Sequence, residues 1–174
     1  MHQLLLLRHG KSSWDDPRLP DRDRPLNKRG HHAAMAMRKA IIDLGLLPDM
    51  VLLSPARRVQ QTLTALEPWD ETPLIEPVEA LYLASAGQIL GLLREVHETV
   101  RSVMLIGHNP GLHELATRLA ANSGETEHKR RLLAALPTAA LAEFAIAGQW
   151  QHLEVEGTRL VRFLAPKDLP LSMA

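Results

Sequence analysis

The feature of this sequence that most constrains its fold is a pattern that occurs three times, in which a short apolar run ends abruptly in small and polar residues. The apolar runs cover residues 4–7, 50–53 and 103–106. Continuous apolar runs of this length are typical of strands that are buried on both faces, as in a parallel sheet. We therefore expect the three segments to be buried strands of one sheet.

Helical patterns lie between these predicted strands, and Asn27 is the predicted N-cap of the first helix. Strand, helix and strand in succession imply parallel pairing with right-handed crossovers. The predicted fold class is α/β, a three-layer α/β/α sandwich with a mainly parallel central sheet, in a single domain over residues 1–174. The predicted helices cover residues 27–45, 55–66, 86–100 and 112–121, and two later strands of the same sheet cover 140–146 and 159–164.

Two polar segments interrupt this pattern. Residues 15–25 are charged and rich in proline, which predicts a solvated loop or, alternatively, a lid or docking edge beside a site. Residues 122–131 form a second polar stretch. Neither segment separates two complete cores, so we expect no domain boundary at either of them.

The composition excludes several classes of function. The 174 residues carry no net charge and include no cysteine, and only 3% of them are aromatic. The lack of cysteine excludes a disulfide framework, a thiolate zinc site and a cysteine nucleophile. A nucleic-acid partner is not expected, because such proteins usually carry a basic excess and aromatic stacking residues. The apolar run 4–7 is too short for a signal peptide or a membrane span, so we expect a cytoplasmic protein without a membrane partner.

Basic and imidazole side chains follow each of the three predicted strands. Arg8 and His9 follow the first strand, Arg58 lies shortly after the second, and His108 follows the third. In an open parallel sheet, ligands bind beyond the carboxyl ends of the strands. If the strands are neighbours, two imidazoles and two guanidinium groups converge on one pocket.

Such a pocket suits phosphoryl transfer. Guanidinium groups pair with phosphate oxygens through parallel hydrogen bonds. A neutral imidazole can act as the nucleophile toward phosphorus, and positioning with charge neutralisation supplies most of the catalysis in this chemistry. Gly10 and Gly111 would let the backbone approach the anion closely, and a helix that begins near Pro110 would direct its positive end toward it.

Four short blocks resemble the signature of the histidine phosphatase superfamily, which includes the cofactor-dependent phosphoglycerate mutases. They are Arg-His-Gly at 8–10, Arg-Pro-Leu-Asn-Lys-Arg-Gly at 24–30, Ser-Pro-Ala-Arg-Arg-Val-Gln-Gln-Thr at 54–62 and Gly-His-Asn-Pro-Gly at 107–111. The opening Arg-His-Gly-Lys-Ser-Ser-Trp and the short chain most resemble the SixA-type phosphohistidine phosphatases. The resemblance implies a phosphoglycerate-mutase-like fold and hydrolysis of a phosphoryl group through a phosphohistidine intermediate, with no metal and no organic cofactor.

The resemblance also implies roles for individual residues. His9 matches the histidine that takes up the phosphoryl group, and Arg8 matches the phosphate-binding arginine beside it. His108 matches the second histidine of the pocket. The Ser-Pro block aligns the second phosphate arginine with Arg58, which leaves Arg57 on the outer side of its helix.

Three further site residues follow from the resemblance with less support from the motifs. Ser12 and Asn109 match positions that contact phosphate. Glu79 is the candidate general acid that protonates the leaving group, or else a residue that only orients a ligand. Arg24 is interpreted as a solvated or ion-paired surface residue, and Trp14 as a rim contact or a packing residue.

The expected substrate is a phosphorylated protein that carries phosphohistidine, because the chain has no room for the long cap insertion with which mutases enclose a small sugar phosphate. A phosphatase of a small phosphorylated metabolite is the alternative enzyme, and a non-catalytic phosphate-binding module is the alternative outside enzymes. Each of these activities places phosphate or another oxyanion in the pocket.

Overall fold

Six strands form one sheet in the computed structural model, which describes residues 1–170. They are β1 (His2–Arg8), β2 (Met50–Leu53), β3 (Leu74–Pro77), β4 (Ser102–Gly107), β5 (Leu141–Ile146) and β6 (Thr158–Leu164). The strands lie in the order β3-β2-β4-β1-β5-β6. The first four in this order are parallel, whereas β5 is antiparallel to β1 and β6 is antiparallel to β5. The predicted mainly parallel sheet is therefore confirmed.

Helices cover both faces of this sheet. Those of the described residues are α1 (Lys28–Asp43), α2 (Arg57–Leu66), α3 (Ala86–Arg94), α4 (Gly111–Leu119) and α5 (Glu127–Ala134), with short 3-10 turns at Asp21–Asp23, Glu79–Leu81, Trp150–His152 and Pro166–Asp168. None of the helices within residues 1–170 is both long and apolar enough to cross a membrane.

The core is divided into two layers by the alternation of side chains along β1 and β4. Leu5 and Leu7 of β1 pack in one cluster with residues of α1 and α2. Leu4 and Leu6 point to the opposite face and pack in a second cluster with residues of α3, α4 and α5. Because both faces are covered by helices, the central strands are apolar throughout, and the expected three-layer sandwich is confirmed.

Several predicted helix boundaries differ from the observed ones. The N-cap at Asn27 is as predicted, and its side chain accepts a hydrogen bond from the Gly30 amide at 2.8 Å. Helix α2 begins at Arg57 rather than at Pro55, because the backbone of Ala56 is still extended. Helix α3 ends at Arg94 rather than at Val100, where the segment makes tertiary contacts instead: the Trp150 indole donates a hydrogen bond to the Val100 carbonyl.

Two elements were not predicted. Strand β3 is short and mostly exposed at the edge of the sheet, so its sequence lacks the apolar run that marks β1, β2 and β4. Helix α5 lies within and beyond the second polar stretch and is capped by Thr126, whose side chain accepts from the Lys129 amide at 3.1 Å. In this helix, Leu132 enters the core, and the Lys129 ammonium is buried because it donates to backbone carbonyls. The charged composition of the segment gave no indication of a buried helix.

Candidate active site

A cavity of about 310 Å³ lies at the carboxyl ends of β1, β2 and β4. The four residues predicted to converge all line it: Arg8, His9, Arg58 and His108. The centroids of the His9 and His108 rings are 5.2 Å apart in an edge-to-face arrangement. The cavity is also lined by Ser12 and Asn109, and by Lys11, Trp14, Arg24, Leu83 and Thr138.

Strand register brings the two histidines together. Arg8 at the end of β1 pairs with Gly107 at the end of β4, so His9 and His108 leave neighbouring strands at the same level. The His9 amide donates to the Gly107 carbonyl at 3.2 Å. Helix α2 supplies Arg58 from its first turn, and Thr62 one turn later links the two segments: its hydroxyl donates to the Arg58 carbonyl and accepts from the Gly10 amide.

His9 is held as a neutral imidazole with one nitrogen free. Its Nδ1 lies 2.7 Å from the Gly10 carbonyl, which can only accept, so Nδ1 carries the proton. Burial lowers the pKa of His9 to about 4, and the positive charges of Arg58 and Arg8 act in the same direction. Neutral His9 therefore has a lone pair on Nε2, the form in which an imidazole is nucleophilic.

His108 is neutral for a similar reason. Burial lowers its pKa to about 3, with further contributions from His9 and Arg58. Its Nε2 lies 2.7 Å from the Ser54 hydroxyl, and its Nδ1 lies 3.4 Å from Nη2 of Arg58. Since a guanidinium only donates, Nδ1 accepts and Nε2 donates to Ser54 in this arrangement.

The guanidinium groups retain donors for a ligand. Nε of Arg8 and Nε of Arg58 are both buried and have no hydrogen-bond partner among residues 1–170. The remaining donors hold the two groups in place: Arg8 Nη1 donates to the Leu136 carbonyl, and Arg58 donates to the carbonyl and carboxylate of Asp21 at 2.7 and 3.0 Å. An oxyanion can satisfy such buried donors.

Arg24 belongs to the cavity, which corrects its interpretation as a surface residue. It is only 7% exposed. Its Nη1 donates to the Ser12 hydroxyl at 2.8 Å, its Nη2 pairs with Asp21 at 3.1 Å, and the group lies 3.5 Å from the centre of the Trp14 ring. Trp14, at 74% exposed, therefore forms the rim of the cavity rather than part of the core.

Asp21 and Tyr82 contact the side chains that line the cavity, and the sequence analysis did not single them out. Although burial acts the other way, hydrogen bonds from Tyr82, Arg58 and Arg24 hold the pKa of Asp21 well below its usual value. The Tyr82 hydroxyl donates to the Asp21 carboxylate at 2.5 Å. Of the two alternatives for segment 15–25, these contacts favour the edge beside a site, because Asp21 connects the segment to Arg58 and Tyr82. The alternation of acidic and basic residues in segment 15–25 is the sequence signal that could have indicated this network of contacts.

The structure separates the remaining candidate site residues. Ser12 lines the cavity and is bound to Arg24. Asn109 also lines it, but its side-chain amide already donates to the Leu136 carbonyl at 2.9 Å. Arg57 is exposed, on the outer side of α2. Glu79 does not line the cavity: its carboxylate is exposed and forms a bidentate pair with Arg22, which lowers its pKa.

No group of three or more histidine, aspartate or glutamate side chains within residues 1–170 is arranged to hold a metal ion.

Comparison with known proteins identifies the family. The model of the histidine phosphatase superfamily, branch 1, matches residues 4–104. An uncharacterised protein of Mycobacterium leprae, ML1117, is 30% identical in an alignment of 172 positions that covers 92% of this chain and all of that protein.

Solved structures give the same result. A protein of Agrobacterium tumefaciens assigned as the phosphohistidine phosphatase SixA is 30% identical, with a TM-score of 0.79 over 95% of this chain and 98% of that one. One of Nakamurella multipartitia with the same assignment has a TM-score of 0.81 at 24% identity, over 95% and 96%. The protein histidine phosphatase SixA in complex with tungstate has a TM-score of 0.75 at 24% identity, over 95% and 98%.

A more distant fold relative is an Escherichia coli protein assigned as an α-ribazole-5′-P phosphatase, with a TM-score of 0.68 at 15% identity over 95% and 98% of the two chains. The phosphoglycerate-mutase-like fold and the resemblance to SixA are thus confirmed, and the family supports phosphatase activity. On the match to the family model and the identity with its SixA relative, this chain belongs to branch 1 of the histidine phosphatase superfamily.

Proposed function

We propose that this chain is a phosphatase that hydrolyses protein phosphohistidine through a phosphohistidine intermediate on His9. The observation that carries the proposal is the meeting of four side chains around one cavity: two neutral imidazoles, His9 and His108, and two buried guanidiniums, Arg8 and Arg58, each with an unpaired donor. That arrangement matches an anion of phosphoryl size beside a nucleophile.

The reaction has two steps. In the first, the Nε2 lone pair of His9 attacks phosphorus and the bond from phosphorus to the leaving nitrogen breaks; the substrate ring, already protonated at its other nitrogen, departs as a neutral imidazole. The Gly10 carbonyl, which accepts from Nδ1, stabilises the positive charge that the phosphorylated ring acquires. In the second step, water attacks phosphorus and the bond to Nε2 breaks, which releases phosphate and restores neutral His9.

The second histidine and the arginines hold the phosphoryl oxygens. The guanidinium groups of Arg8 and Arg58, which line the cavity, pair with these oxygens. Because the Ser54 hydroxyl can donate as well as accept, His108 can exchange tautomers and present an Nδ1 donor to the phosphoryl group. Ser12, which Arg24 orients, and Asn109 remain predicted phosphate contacts at the edge of the cavity.

Glu79 has a reduced part in this mechanism. Its pairing with Arg22 keeps the carboxylate ionised, and an ionised carboxylate cannot protonate a leaving group. A phosphohistidine leaving group is a nitrogen that can already carry a proton, so its departure needs little acid assistance. We therefore propose that Glu79 positions the surrounding loop through Arg22.

A protein substrate is supported by the rim of the cavity. Trp14 and Leu83 are 74% and 55% exposed at this rim, and no inserted domain covers it within residues 1–170. The similarity to proteins assigned as SixA supports the same substrate class. The fold relative assigned as an α-ribazole-5′-P phosphatase supports a small phosphorylated metabolite as the alternative.

The substrate is tested by comparing kcat/KM on a histidine-phosphorylated protein, a phosphoserine peptide and a panel of sugar phosphates. We expect the phosphohistidine protein to be preferred by about 100-fold, because its leaving group needs no acid. Comparable rates on sugar phosphates, with no turnover of phosphohistidine, would contradict the proposal and favour the metabolite phosphatase.

The nucleophile is tested with His9→Ala. We expect kcat/KM to fall by about 10⁴-fold or more, because the intermediate can no longer form. Rapid quenching of the wild type with a ³²P-labelled substrate should yield an acid-labile, base-stable phosphoprotein that the variant lacks. His31→Ala, at an exposed position of α1, is the matched control and should keep full activity. Retained turnover in His9→Ala would show that another group attacks phosphorus.

A further inference from the structure

A second cavity adjoins the phosphoryl cavity. It has a volume of about 260 Å³ and shares two wall residues, Lys11 and Thr138, with the first. Its other basic residues are Arg29 and Lys167. Between these charges the walls are small and apolar, formed by Ala33, Pro137, Ala165 and Pro166. We call this cavity, with its three basic residues Lys11, Arg29 and Lys167, the basic groove.

The groove continues away from the phosphoryl cavity. A third cavity shares Arg29 and Lys167 with it and extends past His32 to Leu169. The three cavities therefore adjoin one another in a row, from the cavity lined by His9 to residues of α1. A chain that leaves the phosphoryl cavity can follow this path.

The charges of the groove have no protein partner. Lys11, Arg29 and Lys167 are all exposed, and none forms a salt bridge with a carboxylate of residues 1–170. The arginines around the phosphoryl cavity differ, since Arg24 and Arg58 are both paired with Asp21. Three unpaired cations beside an apolar floor form a surface that complements an acidic polypeptide.

The backbone fixes the groove relative to the nucleophile. Lys11 lies two residues after His9, and its carbonyl accepts from the Asn27 amide at 3.0 Å. Gly30 in the first turn of α1 packs so closely that a Cβ there would lie 2.2 Å from the same carbonyl, which keeps Arg29 beside Lys11. On the opposite wall, the Ala139 amide that follows Thr138 donates to the carbonyls of Arg8 and His9.

We infer that the basic groove binds an acidic segment of the substrate protein next to its phosphorylated residue. The inference rests on the proposed function and adds to it a requirement on the sequence around the phosphohistidine. The occupant is the substrate itself, because the groove shares the wall residues Lys11 and Thr138 with the cavity that receives the phosphoryl group. A nucleic acid fits the groove less well, since the chain carries no net charge and the groove offers no aromatic side chain for stacking.

The test measures binding rather than turnover. Two peptides of equal length carry the same non-hydrolysable phosphohistidine analogue, one flanked by Asp and Glu and the other by Lys, and their Kd values are measured by fluorescence anisotropy. We expect the wild type to bind the acidic peptide about tenfold more tightly, and this preference to decrease as salt is added. The double variant Arg29→Glu/Lys167→Glu should lose the preference. Both positions lie outside the lining of the phosphoryl cavity, so its turnover of p-nitrophenyl phosphate should equal that of the wild type.

A matched control carries the same change of charge elsewhere. Arg101→Glu/Arg159→Glu alters two exposed, unpaired arginines at the opposite edge of the sheet, where β4 and β6 begin, and should keep the wild-type preference. Equal Kd values for the two peptides on the wild type, or equal effects of both double variants, would overturn the inference. The inference would also be overturned if anionic vesicles or RNA displaced the bound acidic peptide at a lower concentration than a second acidic peptide does.

The outcome is separable from that of the proposed function. If phosphohistidine is not hydrolysed, the proposed function fails, and the same pair of peptides rebuilt around phosphoserine then tests the groove alone. A preference for acidic flanks in that pair supports the groove, and its absence overturns it.

Discussion

The guanidinium of Arg24 contacts several partners at the edge of the phosphoryl cavity. It donates to the Ser12 hydroxyl, pairs with the Asp21 carboxylate and stacks on the ring of Trp14. Only a planar group with several donors can make these contacts at once. Arg24 thus adds a third guanidinium to the cavity while fixing the rim residue Trp14.

We predict that Arg24→Gln weakens binding of inorganic phosphate about tenfold, because a charge-assisted contact at the edge of the cavity is lost. The Kd is measured by calorimetry at neutral pH. Arg24→Lys should restore little of the affinity, since a lysine ammonium lacks the fork and the flat face. Arg18→Gln changes an exposed arginine of the same loop and should bind phosphate like the wild type. Unchanged affinity in Arg24→Gln would place this residue outside the binding site.

At the scale of elements, α4 packs tightly against the loop that forms one wall of the cavity. A Cβ on Gly111, the first residue of α4, would lie 1.9 Å from the Ala84 carbonyl oxygen. The preceding residue of that loop, Leu83, lines the cavity and adopts a left-handed backbone conformation with φ 50°. The absence of a side chain at Gly111 therefore sets where this wall lies.

We predict that Gly111→Ala destabilises the protein by about 1–3 kcal/mol or more, because the loop must move to accommodate the methyl group. Thermal unfolding should show Tm lowered by about 4–10 °C. Gly91→Ala provides the control, since the position lies in α3 with open space around it and should gain up to about 1 kcal/mol from helix propensity. If both variants shift Tm in the same direction, the close approach of α4 does not limit stability.

At the scale of the whole molecule, the burial of two neutral imidazoles links stability to pH. The unfolded chain binds protons on these histidines below about pH 6.5, whereas in the folded protein the pKa of His9 is lowered to about 4 and that of His108 to about 3. Between the pKa of these histidines in the unfolded chain and their lower pKa values in the fold, the unfolded state therefore binds more protons than the folded state. By linkage, the free energy of unfolding decreases as the pH falls through this range.

We predict that stability measured by urea unfolding decreases between pH 7 and pH 5, a range that lies above the titration of ordinary carboxylates. The double variant His9→Gln/His108→Gln should show a flatter dependence over the same range, whatever its absolute stability. An equal slope in the variant and the wild type would mean that the two imidazoles are not neutral in the fold.

The three buried strands, and the four side chains that line the cavity after them, could be predicted from the sequence, whereas the order of the strands in the sheet could not. A strand that is buried on both faces must be apolar at every position, so β1, β2 and β4 are visible in the local composition. The same reasoning could not find β3, which is held at the edge by backbone pairing and needs no apolar side chains. Nor could it find α5, in which the charged residue Lys129 is buried because its ammonium donates to the backbone carbonyls of Ala121 and Ser123 in the preceding loop.

By itself, the sequence determined that β1, β2 and β4 are buried strands and placed Arg8, His9, Arg58 and His108 after their ends, because both properties depend on residues that are close together in the chain. Only the tertiary structure decided that Asp21 links Arg24 and Arg58, that Tyr82 completes this network, and that Glu79 lies outside the cavity. These contacts join residues that are up to about 60 positions apart, as between Asp21 and Tyr82, and no local pattern specifies them. The protonation of His9 belongs to the same group, since it depends on burial and on charges that other elements bring beside it.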